Sequence, residues 1–255
     1  MSVNLSSGVR PTLTGVRELS SAGRLAAWGS AALAGAVSPD DAADAICLPH
    51  DPAPRVVGLP DEPGPVNLPY ALLRLRALGV TGLRLVLPRP GDAAGLPGPP
   101  PFNEIAVALG EAVLTVGGPA LGLVPDVRGT WSVHAVSPDP RTAPSLSEAA
   151  RGLGTAMREA TDLLVRLDLS RWEPAAADVL AASPSGRPAL PMSAPPQAHS
   201  VLQQALRVSA IVEAATSGEG AARTAVEMAA RTAALRDLDA AARRAVEAAC
   251  SPSPC

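Results

Sequence analysis

Only one stretch of this 255-residue chain, Gly79–Val136, carries the short, turn-punctuated apolar runs of a β-sheet. It opens with Gly82–Leu87 and passes through a proline- and glycine-rich run, Pro88–Pro101. Three further strand candidates follow at Ala112–Val116, Ala120–Val124 and Trp131–Val136. Gly117, Gly118 and Pro119 form a hairpin turn between the first two, and Pro125–Gly129 a turn before the third. Alternation in the last run puts Trp131, Val133 and Ala135 on one face. The prediction is a small antiparallel meander, with one helix-fed strand ahead of it and helices as its cover.

The rest of the chain reads as helical. Leu13–Val37 has near-helical apolar spacing, with a break expected near Gly23. Ser38, Pro39, Asp40 and Asp41 combine a cap, a first-turn proline and acids at the positive end of the dipole, starting a helix to about Ile46. Arg55–Leu59 is a short strand between prolines. Asn67 caps a helix stopped by Gly79, and Asn103 is expected to cap one through Glu104–Glu111. Ser145 and Glu148 form a capping box. A short helix is expected at Pro174–Ala182, then a proline-rich linker, Ser183–Pro196. Gln197–Thr216 is apolar around most of its circumference and is predicted to be the buried central helix. In Ala221–Cys250, the pairs Asp239/Arg243 and Arg243/Glu247 are four apart and read as an exposed face.

The fold class is therefore α+β. A small mixed or antiparallel sheet of about four to five strands lies within residues 1–140, packed with an α-helical bundle of three to four helices from residues 141–250. Residues 251–255 form a disordered tail, and a single compact domain made of both regions is the alternative. With only Tyr70, Phe102, Trp28, Trp131 and Trp172 as aromatics, the core must be built from Leu, Val and Ala.

Charge excludes some functions. All 21 basic residues are arginine, a signature of GC-rich codon usage before it is one of function. Net charge is −3 with both signs interleaved, so no basic patch awaits a phosphate backbone, and nucleic acid is not an expected partner. No apolar run approaches the ~20 residues of a membrane span, and Leu25–Val37 lacks the features of a signal-peptide core. A cytoplasmic location is expected, with no membrane partner. Three cysteines supply neither a disulfide framework nor a zinc site. Neither a metal nor a cofactor is expected.

The candidate site is the loop Pro88–Asn103, which leaves the C-terminal end of a buried strand, where open sheets place ligands. Its prolines restrict φ, suiting it to hold Arg89, Asp92, Phe102 and Asn103 toward a ligand or partner; otherwise it is a plain crossover. His134, with Asp92 or Glu111, is the candidate acid–base set, although a strand histidine without a geometric partner is an ordinary residue. Gly117–Gly122 lacks the following helix that a phosphate-binding turn requires, and a chain without lysine has no Walker motif. The expected function is a non-enzymatic protein-binding or adaptor role through this loop and the helical surface, with self-association through helices as a variant. The alternative is a small-molecule-binding or hydrolase-like protein with a cleft at the strand ends around Asp92 and His134.

Overall fold

The computed structural model describes residues 18–47, 53–93, 95–126, 129–138, 145–166, 189–217 and 225–251. Six strands form one mixed sheet: β1 (Arg55–Val57), β2 (Val66–Asn67), β3 (Gly82–Val86), β4 (Ala112–Val116), β5 (Leu121–Pro125) and β6 (Thr130–Ala135). Their spatial order is β2-β1-β6-β5-β4-β3. The expected meander extends over β3 to β6, all antiparallel, while β1 joins β6 in parallel and β2 closes the far edge. The sixth strand, β2, has only two residues, too few for any periodicity to reveal it.

Gly117 and Gly118 both take positive φ in the β4–β5 turn, the conformation a two-glycine hairpin supplies at least cost. Thr115 Oγ1 fastens the turn, donating to the Pro119 carbonyl at 2.7 Å and accepting from the Leu121 amide at 2.9 Å.

Seven helices complete the described residues: α1 (Ser21–Leu33), α2 (Pro39–Ile46), α3 (Leu68–Ala77), α4 (Pro100–Leu109), α5 (Leu146–Arg166), α6 (Pro196–Ser217) and α7 (Ala225–Cys250). The Ser38 and Asn67 caps accept from Asp41 and Tyr70 amides as the sequence predicts. The capping box also forms, with Ser145 Oγ accepting from the Glu148 amide and Glu148 Oε2 accepting from Ser145. Pro174–Ala182 lies outside the described residues.

Three expectations need correction. The helix after the proline-rich run starts at Pro100, not at Asn103. Pro100 and Pro101 fill first-turn positions whose amides have no helical acceptor, and Asn103 Oδ1 instead turns back to accept from the Gly98 amide at 3.0 Å. α6 is not the central helix: α7 lies between α5 and α6 and also reaches α1 and β3. Small residues decide this, because Ala241, Ala242, Ala245 and Ala249 allow neighbours close on two sides. Finally, Arg243 and Glu247 do not sit on a solvated face. The Arg243 side chain is 12 % exposed, and both residues turn toward the sheet.

The sheet separates two buried clusters. Leu83, Leu85, Val113, Leu123 and Trp131 face the main core with α1, α3, α6 and α7, while Val86, Ala112, Leu114 and Val124 face Phe102 and Ala106 of α4. Gly29 lets α1 settle onto β3, since a Cβ there would press into Leu83. The main cluster runs unbroken from Leu19 to Cys250, so the helical part and the sheet share one core.

Candidate functional site

β3 is an outer strand, yet most of the backbone groups along its outward edge are occupied. Ser30 Oγ of α1 accepts from the Leu83 amide at 2.9 Å and donates to its carbonyl at 3.1 Å. Ser251 Oγ accepts from the Leu85 amide at 3.1 Å, and Glu247 Oε1 from the Leu87 amide at 2.6 Å. Arg243 Nη1 donates to the Leu87 carbonyl at 2.7 Å. Residues 243, 247 and 251 are successive turns of one helix face, rising ~6 Å per step, close to the ~6.8 Å between alternate strand residues. The end of α7 thus stands in for a seventh strand and covers an edge that would otherwise invite pairing.

Arg243 ties this edge to the loop. Its Nη2 meets Asp92 Oδ2 at 2.7 Å and its Nε meets Asp239 Oδ2 at 3.0 Å. Burial works against the guanidinium charge, but the two carboxylates outweigh it and hold the pKa above its ordinary value. Glu247 is shifted the other way. Burial raises its carboxyl to about 7, against the Leu87 amide and the positive charges of Arg243 and Arg84. Cys250 is fully enclosed, and burial pushes its thiol up.

Two cavities meet at this junction and share Arg89, Ser209 and Arg243 as a wall. The larger, about 1110 Å³, runs between α6 and α7 with the 89–92 turn at one end. Val212, Ala215, Met228 and Leu235 supply its apolar lining, and Arg89, Arg231, Arg236, Glu213 and Asp237 charge its walls. The smaller, about 250 Å³, lies at the N-terminus of α1, between the end of β3 and the start of β4.

The predicted residues divide between this junction and the other sheet face. Arg89 and Asp92 close a tight turn by mutual backbone hydrogen bonds of 2.8 and 2.9 Å, and both line the larger cavity. Glu111 lines the smaller one and accepts from the Ala22 amide at 3.3 Å, so its carboxylate caps the positive end of α1. His134 is elsewhere. It lies opposite Gly122, which lies opposite Leu114, on the face covered by α4. Three residues of strand rise and two strand spacings separate its backbone from that of Glu111, roughly 14 Å. Its ring packs against Phe102 instead, with centroids 5.9 Å apart. Phe102 is itself only 2 % exposed, so its ring is spent on the core. Asn103 holds the loop through Gly98.

Arg243, Glu247 and Ser209 are the site residues that sequence reasoning passed over. One signal was present: Arg243 and Glu247 are embedded in a small apolar run, Ala241–Cys250, whose other members are mostly buried. Charges inside such a seam face a polar partner. Among the described residues, no group of three or more His, Cys, Asp or Glu side chains could hold a metal ion, and no helix is long and apolar enough to cross a membrane.

Fold and site together define an α+β protein in which a helical hairpin docks on a sheet edge and opens a cleft beside it. The chain belongs to the Rv1486c-like family: residues 22–145 match that family's N-terminal domain and residues 147–247 its C-terminal domain. Two similar relatives are the uncharacterized proteins Rv1486c and MT1533 of Mycobacterium tuberculosis, from strains H37Rv and CDC 1551. Each is 32 % identical over 236 residues, covering 74 % of this chain and 80 % of the relative. No solved structure matches the chain.

Proposed function

We propose that the protein is a non-enzymatic, cytoplasmic binding protein that seats a helical segment of another protein in the larger cleft, between the 89–92 turn and the α6–α7 hairpin. The observation that carries this reading is the N-terminal half of α7. None of its residues from Val226 to Asp237 is buried, although Val226, Met228 and Leu235 are apolar and Val226 is 78 % exposed. From Met228 to Arg243 the cleft follows sixteen residues of helix, about 22 Å from first to last, the length of four turns of a docked helix. Apolar residues on the floor and charges of both signs on the walls suit an amphipathic helix whose own flanks carry both signs. The Arg243–Asp92 ion pair keeps the turn in place as the end wall.

Site-specific photocrosslinking in cells tests this. A crosslinker at Arg236, on the cleft, should give one discrete heterologous adduct that disappears in Leu235→Asp. The same crosslinker at exposed Tyr70, which lines neither cavity, should not give it. Equal adducts from both positions, or none from Arg236, would overturn the reading. An adduct with a second copy would replace the foreign partner by self-association.

A further inference from the structure

We infer that the groove between α5 and the first turn of α6 is a docking surface for an extended acidic segment of another protein, separate from the larger cleft. The groove encloses about 570 Å³ and follows α5 from Ser147 to Arg158, about 16 Å, with Gln197 of α6 on its other side. Arg151 and Arg158 are exposed there, and among the described residues no carboxylate lines the groove with them. Neither arginine has an ion pair among the described residues, although each has an acid nearby on its own helix. Glu148, three residues before Arg151, gives its carboxylate to Ser145 in the capping box. Asp162 stands four residues after Arg158, a spacing that suits an ion pair. Arg158 instead folds back over the groove: its Nη2 donates to Thr155 Oγ1 at 3.1 Å, and its Nη1 lies 3.6 Å from where a Cβ of Gly154 would stand. Gly154 itself is a second observation. A glycine inside a 21-residue helix weakens it relative to alanine, and no packing contact requires one here, because an added Cβ would meet only the flexible end of Arg158. Its missing side chain keeps the floor of the groove low between the two guanidiniums.

Two like charges on one concave wall without a counter-charge favour an anionic occupant. Spacing and hydrogen bonding select its class. Arg151 and Arg158 are seven residues apart, about 10 Å along the helix, and helical side chains all lean toward the N-terminus, so the guanidiniums keep that spacing. A single phosphate or carboxylate does not span it. An extended, polyproline-like segment brings residues i and i+3 to one side about 9 Å apart, so two acidic side chains at that spacing meet both arginines. Ser147, Thr155 and Gln197 add donors and acceptors for the open amides and carbonyls of such a backbone, groups that a docked helix has already paired internally. No aromatic residue lines the groove, so it offers no stacking platform to single-stranded bases.

The test is fluorescence anisotropy of the full chain with a labelled Ala-Glu-Pro-Pro-Glu-Ala peptide, beside its counterpart with glutamine for both glutamates. The acidic peptide should bind at or below millimolar concentration, more weakly as salt rises, with the glutamine peptide roughly tenfold weaker or worse. Arg151→Ala and Arg158→Ala should each weaken binding about three- to fivefold, the scale of an exposed ion pair, while the thermal melt stays near that of the parent. Gly154→Ala should raise the melting temperature and yet weaken binding, because it fills the floor of the groove. Arg236→Ala and Leu235→Asp, both in the larger cleft, should leave peptide binding intact, so failure of the partner reading and failure of this one are separable. No binding at millimolar peptide, equal binding of the glutamine peptide, or an equal loss in Arg236→Ala and Arg151→Ala, the mark of unselective attraction to arginine, would overturn the inference.

Discussion

Glu247 Oε1 accepts the Leu87 amide hydrogen at 2.6 Å, joining the last helix to the outer strand of the sheet by a carboxyl group whose pKa burial raises to about 7. A side chain that reads as part of a solvated helix face is therefore a polar anchor of the fold, and its titration is linked to folding.

Between the ordinary glutamate value of 4.5 and about 7, the unfolded chain releases a proton that the folded chain keeps. This group's contribution to stability must fall as pH rises through that window, and be flat on either side. The loss is at most about 3 kcal/mol. Glu247→Gln keeps an acceptor for Leu87 and removes the charge, so it should flatten this part of the profile and gain relative to the parent at pH 8. Urea melts at pH 5 and pH 8 measure it; parent and variant profiles of equal slope would refute the link.

Arg243→Ala should be the most damaging single change at the junction. It removes one partner each from Asp92, Asp239 and the Leu87 carbonyl; because water still reaches both carboxylates, the loss is about 1–3 kcal/mol. Arg243→Lys should recover little, because one ammonium cannot reproduce three divergent guanidinium contacts. Chemical denaturation gives both values.

The edge cover makes a residue-resolved prediction. Amides of Leu83, Leu85 and Leu87 should exchange slowly although β3 is an outer strand, because Ser30, Ser251 and Glu247 accept from them. Ser251→Ala should speed exchange at Leu85 and leave Leu83 protected. Hydrogen exchange by NMR reads each amide, and equal acceleration at both would show that helix fraying, not the hydroxyl, sets protection.

Gly122 faces Phe102 with no room for a side chain, and an added Cβ would overlap the ring and press on Val136. Gly122→Ala should destabilise by about 1–3 kcal/mol through overpacking. Phe102→Leu, itself costly, should lose less in the Gly122→Ala background than alone. A thermal-melt double-mutant cycle reads the coupling, and additive effects would place the clash elsewhere.

Local chemistry made much of this fold readable. Ser38 and Asn67 are caps where their spacing puts them, the glycine pair turns the β4–β5 hairpin, and alternation in Trp131–Ala135 matches the strand's two faces. Arg89 and Asp92 lie together because four residues suffice to close a turn. Other elements depend on partners distant in sequence. Asn103 had two acceptor roles open to it, at a helix start or within the loop, and the prolines at 100 and 101 decided between them by starting the helix earlier. His134 and Glu111 are both polar residues of the sheet region, and only the strand register places them on opposite faces.

The amino-acid sequence alone determines where this chain turns, caps and alternates, and so determines an α+β protein with a meander beside a helical region. Those are contacts among neighbours, whose energies do not depend on how distant segments dock. Tertiary structure alone decides that α7 rather than α6 is central, that Arg243, Glu247 and Ser251 complete the edge of β3, and that Arg89 and Ser209 meet across a cavity. An arginine four residues from a glutamate looks the same on a solvated face and against a strand edge. Which of these it becomes is set by small residues that let a helix approach closely, and by unpaired backbone groups that must find partners when it does.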